Sequence, residues 1–219
     1  LPQLEAIIYA GQAHSRLLPG AEGPVRQGVF VGDSTGVGKG RTIGGIIADN
    51  FAQGRTKAVW LSKNAKPQLV EQARRDWEQG GGGNPGDLFL VRNQNPITAP
   101  RGILFMPYTT LRGRKGQTDT GRVQQIVEWL GKDFDGVIAM DESHLGGNGM
   151  VIATGRGRTR PSDTALAMAT LQDALPNARI VYVSATGATE VRNFSYAKRL
   201  GMWGPRTPFA DMPTFVEEI

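Results

Sequence analysis

Gly28-Val-Phe-Val-Gly-Asp-Ser-Thr-Gly-Val-Gly-Lys-Gly-Arg-Thr42 is the stretch whose reading decides the fold. Val29-Phe30-Val31 is a short apolar run that predicts a buried strand, and Ile43, Ile46 and Ile47 then recur at helical spacing. Between them lies a loop carrying Gly36, Gly38 and Lys39. Strand, glycine loop with lysine, helix is the context of a phosphate-binding loop. Glycines let backbone N–H groups close around phosphate oxygens, and a helix N-terminus adds positive partial charge. Lys39 would reach the β- and γ-phosphates as a point charge. The pattern G-x-x-x-x-G-K-[ST] is broken twice: Asp33 stands at the first glycine position, and Gly40 replaces the Ser or Thr whose hydroxyl holds Mg²⁺. Thr42, two residues on, is the expected substitute for that hydroxyl.

Working outward, apolar runs alternate with helical patterns along the whole chain. Helices are expected over 3–17, from Thr42 to about Gln53, over 66–78, 121–132 and 164–175, and from Glu190 to Leu200. Strands are expected at 57–62, 88–91, 102–106, 137–140 and 179–183. The strands are near-continuous apolar runs, which predicts an α/β fold with a mainly parallel sheet covered by helices on both faces. Gly80 to Asp87, with four consecutive glycines, reads as a flexible surface loop. Residues 145 to 162 are rich in glycine and arginine and read as mobile.

In an open parallel sheet, ligands sit at the carboxyl ends of the strands. Lys39 follows the first of these strands, Asp141-Glu142 the fifth, and Ser184-Ala185-Thr186 the sixth. Asp141 is placed to hold Mg²⁺ through water, since that ion keeps several of its waters. Glu142 is placed to activate an attacking water as general base. His144 would lie near Ser184 and Thr186, where a hydrogen bond could report the nucleotide state to the rest of the protein.

Composition narrows the alternatives. The 219 residues carry a net charge of +5, with basic clusters at Arg112-Gly-Arg114-Lys115 and at Arg156, Arg158 and Arg160. Clustered arginines suit a polyanion, here a sequence-independent grip on nucleic acid. Zero cysteines exclude disulfides, thiolate catalysis and thiolate metal sites. No run is long enough to span a membrane and no signal peptide is visible, so an intracellular protein with no membrane partner is expected. The chain begins without Met and ends in a helical pattern, which suggests a fragment of something longer. His14 reads as a solvated helix residue, and Trp203 as a core plug rather than a nucleobase platform.

Asp141-Glu142-Ser143-His144 resembles the D-E-x-H box of superfamily 2 helicases, Ser184-Ala185-Thr186 resembles their third motif, and Gly36-Val37-Gly38-Lys39 their first. Gln3 resembles the upstream glutamine that reads adenine. More narrowly, the chain resembles the Strawberry notch family, through Gln3-Leu-Glu-Ala-Ile, Gly32 to Thr42, Asp133-Phe-Asp-Gly-Val-Ile138, Tyr182-Val-Ser-Ala-Thr-Gly-Ala188 and Leu200-Gly-Met-Trp-Gly204. Gly-Lys-Gly-Arg-Thr is that family's own form of the loop, whereas Ser143 stands where its box usually has Cys.

The resemblance implies a three-layer RecA-like P-loop NTPase lobe over residues 1–219, the first of two, with ATP and Mg²⁺ as cofactors. It implies nucleotide contacts along Asp33, Ser34, Thr35, Gly36, Val37, Gly38, Lys39, Gly40, Arg41 and Thr42. It implies nucleic-acid contacts, with DNA foremost, at Ser62-Lys63-Asn64 and Tyr108-Thr109-Thr110. A second RecA-like lobe would supply arginine fingers, so this chain alone should bind ATP weakly and turn it over slowly. The compartment implied is the cytoplasm for a bacterial or phage protein and the nucleus for a eukaryotic one. Two further readings differ in class: a nucleotide-switched scaffold or transcription regulator without strand separation, and a small P-loop phosphotransferase, against which the Ser-Ala-Thr motif speaks.

Overall fold

Apolar residues along each central strand sort by parity onto two faces, and this sorting organises the molecule. A computed structural model describes residues 2–32, 38–91, 95–112, 121–146, 153–154, 157–158, 162–184 and 194–218. The elements are α1 (Pro2–His14), β1 (Leu17–Leu18), β2 (Val25–Arg26), β3 (Val29–Val31), α2 (Lys39–Ala52), β4 (Lys57–Ser62) and α3 (Pro67–Trp77). There follow β5 (Leu88–Phe89), β6 (Gly102–Pro107), α4 (Tyr108–Leu111), α5 (Gly121–Leu130), β7 (Val137–Asp141), β8 (Ala153–Thr154) and β9 (Gly157–Arg158). The chain continues through α6 (Asp163–Ala174), β10 (Arg179–Val183) and α7 (Met212–Glu218).

Among the described residues, six strands form one sheet in the order β3-β10-β7-β4-β6-β5. Every pairing in it is parallel. Ala58, Trp60, Ile103, Phe105, Ala139 and Val181 face α1, α2 and α3, whereas Val59, Leu61, Leu104, Met106, Met140 and Tyr182 face α4, α5 and α6. Each fully buried Val, Leu, Ile, Phe or Met among them contributes roughly 1.5–3 kcal/mol relative to exposure. This is the three-layer α/β arrangement expected of a RecA-like P-loop lobe. Two small antiparallel pairs, β1 with β2 and β8 with β9, lie apart from the sheet.

Four local expectations are corrected. The glycine run is not a flexible loop: residues 78–82 continue α3 as a π-helical turn, with Gly81 at φ 95°. Gly81 and Gly83 are there for their left-handed backbone, and Gly80 for close approach to α2. A Cβ on Gly80 would lie 2.7 Å from the backbone N of Gly45, and one on Gly44 2.6 Å from the Asp76 carbonyl oxygen. The third central strand is only Leu88–Phe89, at the sheet edge. The helix expected over 190–200 is a 3₁₀ turn, Lys198–Leu200, in its described part. There Arg199 buries its guanidinium and donates to the carbonyls of Gln172, Leu175 and Pro176 at the end of α6, a cation satisfying the orphan acceptors of a helix C-terminus.

His14 is the fourth. It is buried, with Nε2 3.2 Å from the Ile180 carbonyl oxygen of β10. Burial, aided by Arg179, Arg26 and Arg55, pushes its pKa down to about 4. Trp203 is half-buried and packs its ring 5.7 Å from Phe215 of α7.

Candidate nucleotide site

Parallel register brings the ends of β3, β10, β7 and β4 side by side, and α2 starts beside them. Gly38 precedes α2 in the left-handed region, φ 85°, and no side chain caps the helix start. Glycine is needed for that backbone, and a Cβ there would also come 3.1 Å from Gln3 Nε2. The helix N-terminus and Lys39, its first residue, therefore open on the same space as Gln3.

That space is a cleft of about 580 Å³. Gln3 and Gly38 to Arg41 line it together with Asp141 and Glu142 after β7 and with Trp60, Ser62 and Phe105 of β4 and β6. Leu69, Gln72, Ala73 and Asp76 of α3 close it. Their spacing of three, four and seven residues puts them on one helix face. Of these, Asp76 is the functional-looking residue that the sequence reading missed; the signal was that spacing, without a motif to mark it.

Asp141 is largely buried and its pKa is pushed up to about 6, by burial first and by the Glu142 charge second. The Glu142 backbone N–H, donating to Asp141 Oδ1 at 3.0 Å, and the Lys39 ammonium act the other way. Burial also raises the pKa of Asp76, with Arg41 and Arg75 opposing. Glu142 takes a left-handed backbone, φ 53°, uncommon for a residue with a side chain and a small reservoir of strain. This turn separates the two neighbouring carboxylates. Beyond it, Ser143 is buried and donates to Tyr196 Oη at 3.1 Å. His144 places Nδ1 2.9 Å from Ser184 Oγ and 3.3 Å from Glu142 Oε2.

The structure does not bring every expected residue to the cleft. Thr42 is buried in α2, with its hydroxyl turned back on the Gly38 carbonyl at 3.5 Å, and it is not among the lining residues. Tyr108 does not offer its side chain to a nucleic-acid strand: it is buried and donates its hydroxyl to the Asp141 carbonyl at 2.8 Å. Ser62 is buried and faces the cleft. Lys63 and Thr109 are exposed, and Asn64 and Thr110 half-buried, at the adjoining ends of β4 and β6. Asp33, Ser34, Thr35, Gly36, Val37, Arg156, Arg160 and Thr186 lie outside the described residues, and of Arg158 only the backbone, in β9, is described.

Among the described residues no three His, Asp or Glu side chains form a metal cage. A nucleotide-bound Mg²⁺ does not require one, since it takes one or two carboxylates, waters and phosphate oxygens. The oxygen donors of Asp141 and Asp76 beside Lys39 fit that chemistry. Among the described residues no helix is long and apolar enough to cross a membrane.

Comparison with known proteins shows which family the chain is similar to. The strawberry notch homolog of Caenorhabditis elegans is 41% identical over 228 residues, covering 99% of this chain and 12% of that protein. Human strawberry notch homolog 1 is 40% identical, covering 99% and 16%. Protein FORGETTER 1 of Arabidopsis thaliana is 40% identical, covering 98% and 16%. The chain thus spans less than a fifth of the length of these relatives. Among solved structures, the Sulfolobus solfataricus SWI2/SNF2 ATPase core in complex with dsDNA is similar in fold, with a TM-score of 0.63 at 10% identity, covering 99% of this chain and 38% of that one. The sequence model described as P-loop containing NTP hydrolase pore-1 matches residues 1–219, and the chain belongs to that family, with the strawberry notch proteins as its relatives.

Proposed function

We propose that this chain is the first RecA-like lobe of an ATP-driven motor acting on nucleic acid, DNA foremost. The observation that carries the reading is the meeting of Lys39, Asp141 and Glu142 in one cleft at the strand ends, with His144 tying that cleft to Ser184 on the next strand. Lys39 and the α2 N-terminus bind the phosphates, and Gln3 lies where it can meet the base. Asp141 holds the Mg²⁺ that accompanies the nucleotide, which neutralises phosphate charge when bound. Glu142 accepts the proton of the attacking water. The exposed tips of β4 and β6, at Lys63 and Thr109, offer groups that suit phosphate contacts without base reading. The similar fold of the SWI2/SNF2 ATPase core, solved with dsDNA, makes duplex DNA the partner to test, and a second lobe would complete the site.

The test is ATP hydrolysis alone, with double-stranded DNA and with RNA, beside Glu142→Gln. A motor lobe in its complete protein gives hydrolysis that rises with DNA and is abolished by the substitution. Hydrolysis indifferent to DNA and RNA assigns the chain to a nucleotide-switched scaffold instead.

A further inference from the structure

Gly40 stands where phosphate loops of the common form carry a Ser or Thr, and the structure shows what fills the vacated space. A Cβ on Gly40 would overlap the Asp76 carboxylate, lying 2.7 Å from its Cγ. Asp76 thus projects from α3 into the volume that a hydroxyl-bearing side chain would occupy. Its side chain is 15% exposed and opens on the cleft that Lys39 and Asp141 line. Its charge is felt at Asp141. The hydroxyl of Thr42, the substitute expected from the sequence, is turned back on the Gly38 carbonyl.

We propose that the Asp76 carboxylate replaces the phosphate-loop hydroxyl and, together with Asp141, holds the hydrated divalent cation that accompanies the nucleotide. The chemistry is an exchange of one hard oxygen donor for another, and it explains the glycine: any side chain at position 40 evicts the carboxylate. An alternative occupation for Asp76 is its ion pair with Arg41, but that contact is 3.8 Å long and Arg41 is 56% exposed. A pair so long and so solvated does not fix a carboxylate in place. The carboxylate also carries a charge that a hydroxyl lacks. Without a cation it repels the phosphates; with one it attracts them through the metal.

The inference rests on the nucleotide reading, and the test separates the two. ATP affinity of the chain is measured by calorimetry in EDTA and in Mg²⁺, for wild type, Asp76→Asn, Arg41→Ala and the double variant Gly40→Ser/Asp76→Ala, each checked for folding by its thermal melt. Mn²⁺ binding beside a non-hydrolysable ATP analogue is followed by electron paramagnetic resonance. Wild type should gain affinity with Mg²⁺, and Asp76→Asn should lose about tenfold of that gain while binding no more weakly in EDTA, as removal of one carboxylate donor requires. The double variant, with a hydroxyl restored, should recover part of the gain. Equal Mg²⁺ gains and equal Mn²⁺ spectra in wild type and Asp76→Asn overturn the inference and leave the nucleotide reading standing, as does Arg41→Ala reproducing the Asp76→Asn loss. No ATP binding by folded wild type overturns both.

Discussion

His144 and Ser184, forty residues apart in sequence, meet at 2.9 Å between Nδ1 and Oγ across the ends of β7 and β10. The same imidazole lies 3.3 Å from the Glu142 carboxylate. A movement of the β10 end therefore reaches the group that would activate water through a single side chain. Ser184 is fully buried, whereas His144 is exposed, so the contact links the interior at the end of β10 to the surface of the cleft. Ser184→Ala is expected to leave ATP affinity within about threefold of wild type, because no phosphate contact is removed, while lowering nucleic-acid stimulation of hydrolysis about tenfold or more, the scale of one coupling contact. Steady-state hydrolysis against DNA concentration checks it. Unchanged stimulation would leave His144 as a bystander.

The end of α3 and the turn after it pack closely on α2. Gly44→Ala ordinarily gains about 1 kcal/mol of helix propensity. Here the added Cβ would lie 2.6 Å from the Asp76 carbonyl oxygen and 3.1 Å from Trp77 Cα. Backbone gives way less readily than a side-chain tip, so the overlap outweighs the propensity. The expected net loss is about 1–3 kcal/mol, as for other overpacked sites, read by urea denaturation. Stabilisation by the same substitution would show that the glycines mark a loose turn after all.

Buried His14 makes stability sensitive to acid. Its folded pKa of about 4 lies below the ordinary histidine value of 6.5. Its contribution is therefore complete above pH 6.5 and is lost as pH falls toward 4, because the unfolded chain takes up the proton first. The full loss amounts to on the order of 3 kcal/mol. Asp141, with its pKa raised to about 6, works in the opposite sense over most of this range, so wild type alone does not isolate the effect. Comparing denaturation free energies of wild type and His14→Gln at pH 7 and pH 5 does. The difference between them should shift in favour of the variant at pH 5; a difference constant with pH contradicts the buried neutral imidazole.

The sheet was legible because both of its faces are covered: runs such as Val59-Trp60-Leu61 and Ile138-Ala139-Met140 have no solvent side and so carry an unmistakable strand signal. Strand ends were legible for the same reason, and with them the places of Lys39, Asp141 and Ser184. Side-chain direction was not. Nothing in the local pattern around His14 says that its ring turns toward the Ile180 carbonyl, or that Tyr108 turns inward to Asp141, since each depends on the layer opposite. The glycines at 80–83 look like a loop until the packing is seen: Gly80 lies against α2 and Gly82 against the Trp77 ring, whereas Gly81 and Gly83 serve a left-handed backbone. Asp76 shows the same limit: its place on a helix was readable, but its overlap with the empty position at Gly40 exists only once α2 and α3 are packed.

The central claim is that the ends of separate strands build one nucleotide site. It is tested most directly by titrating ATP with Mg²⁺ into the wild-type chain, Lys39→Ala and Glu142→Gln, with heat as the readout. The account predicts one ATP per chain, an affinity at least about tenfold weaker for Lys39→Ala through loss of a charge-assisted phosphate contact, and binding retained by Glu142→Gln. Equal affinities for wild type and Lys39→Ala, with both folded, would contradict it.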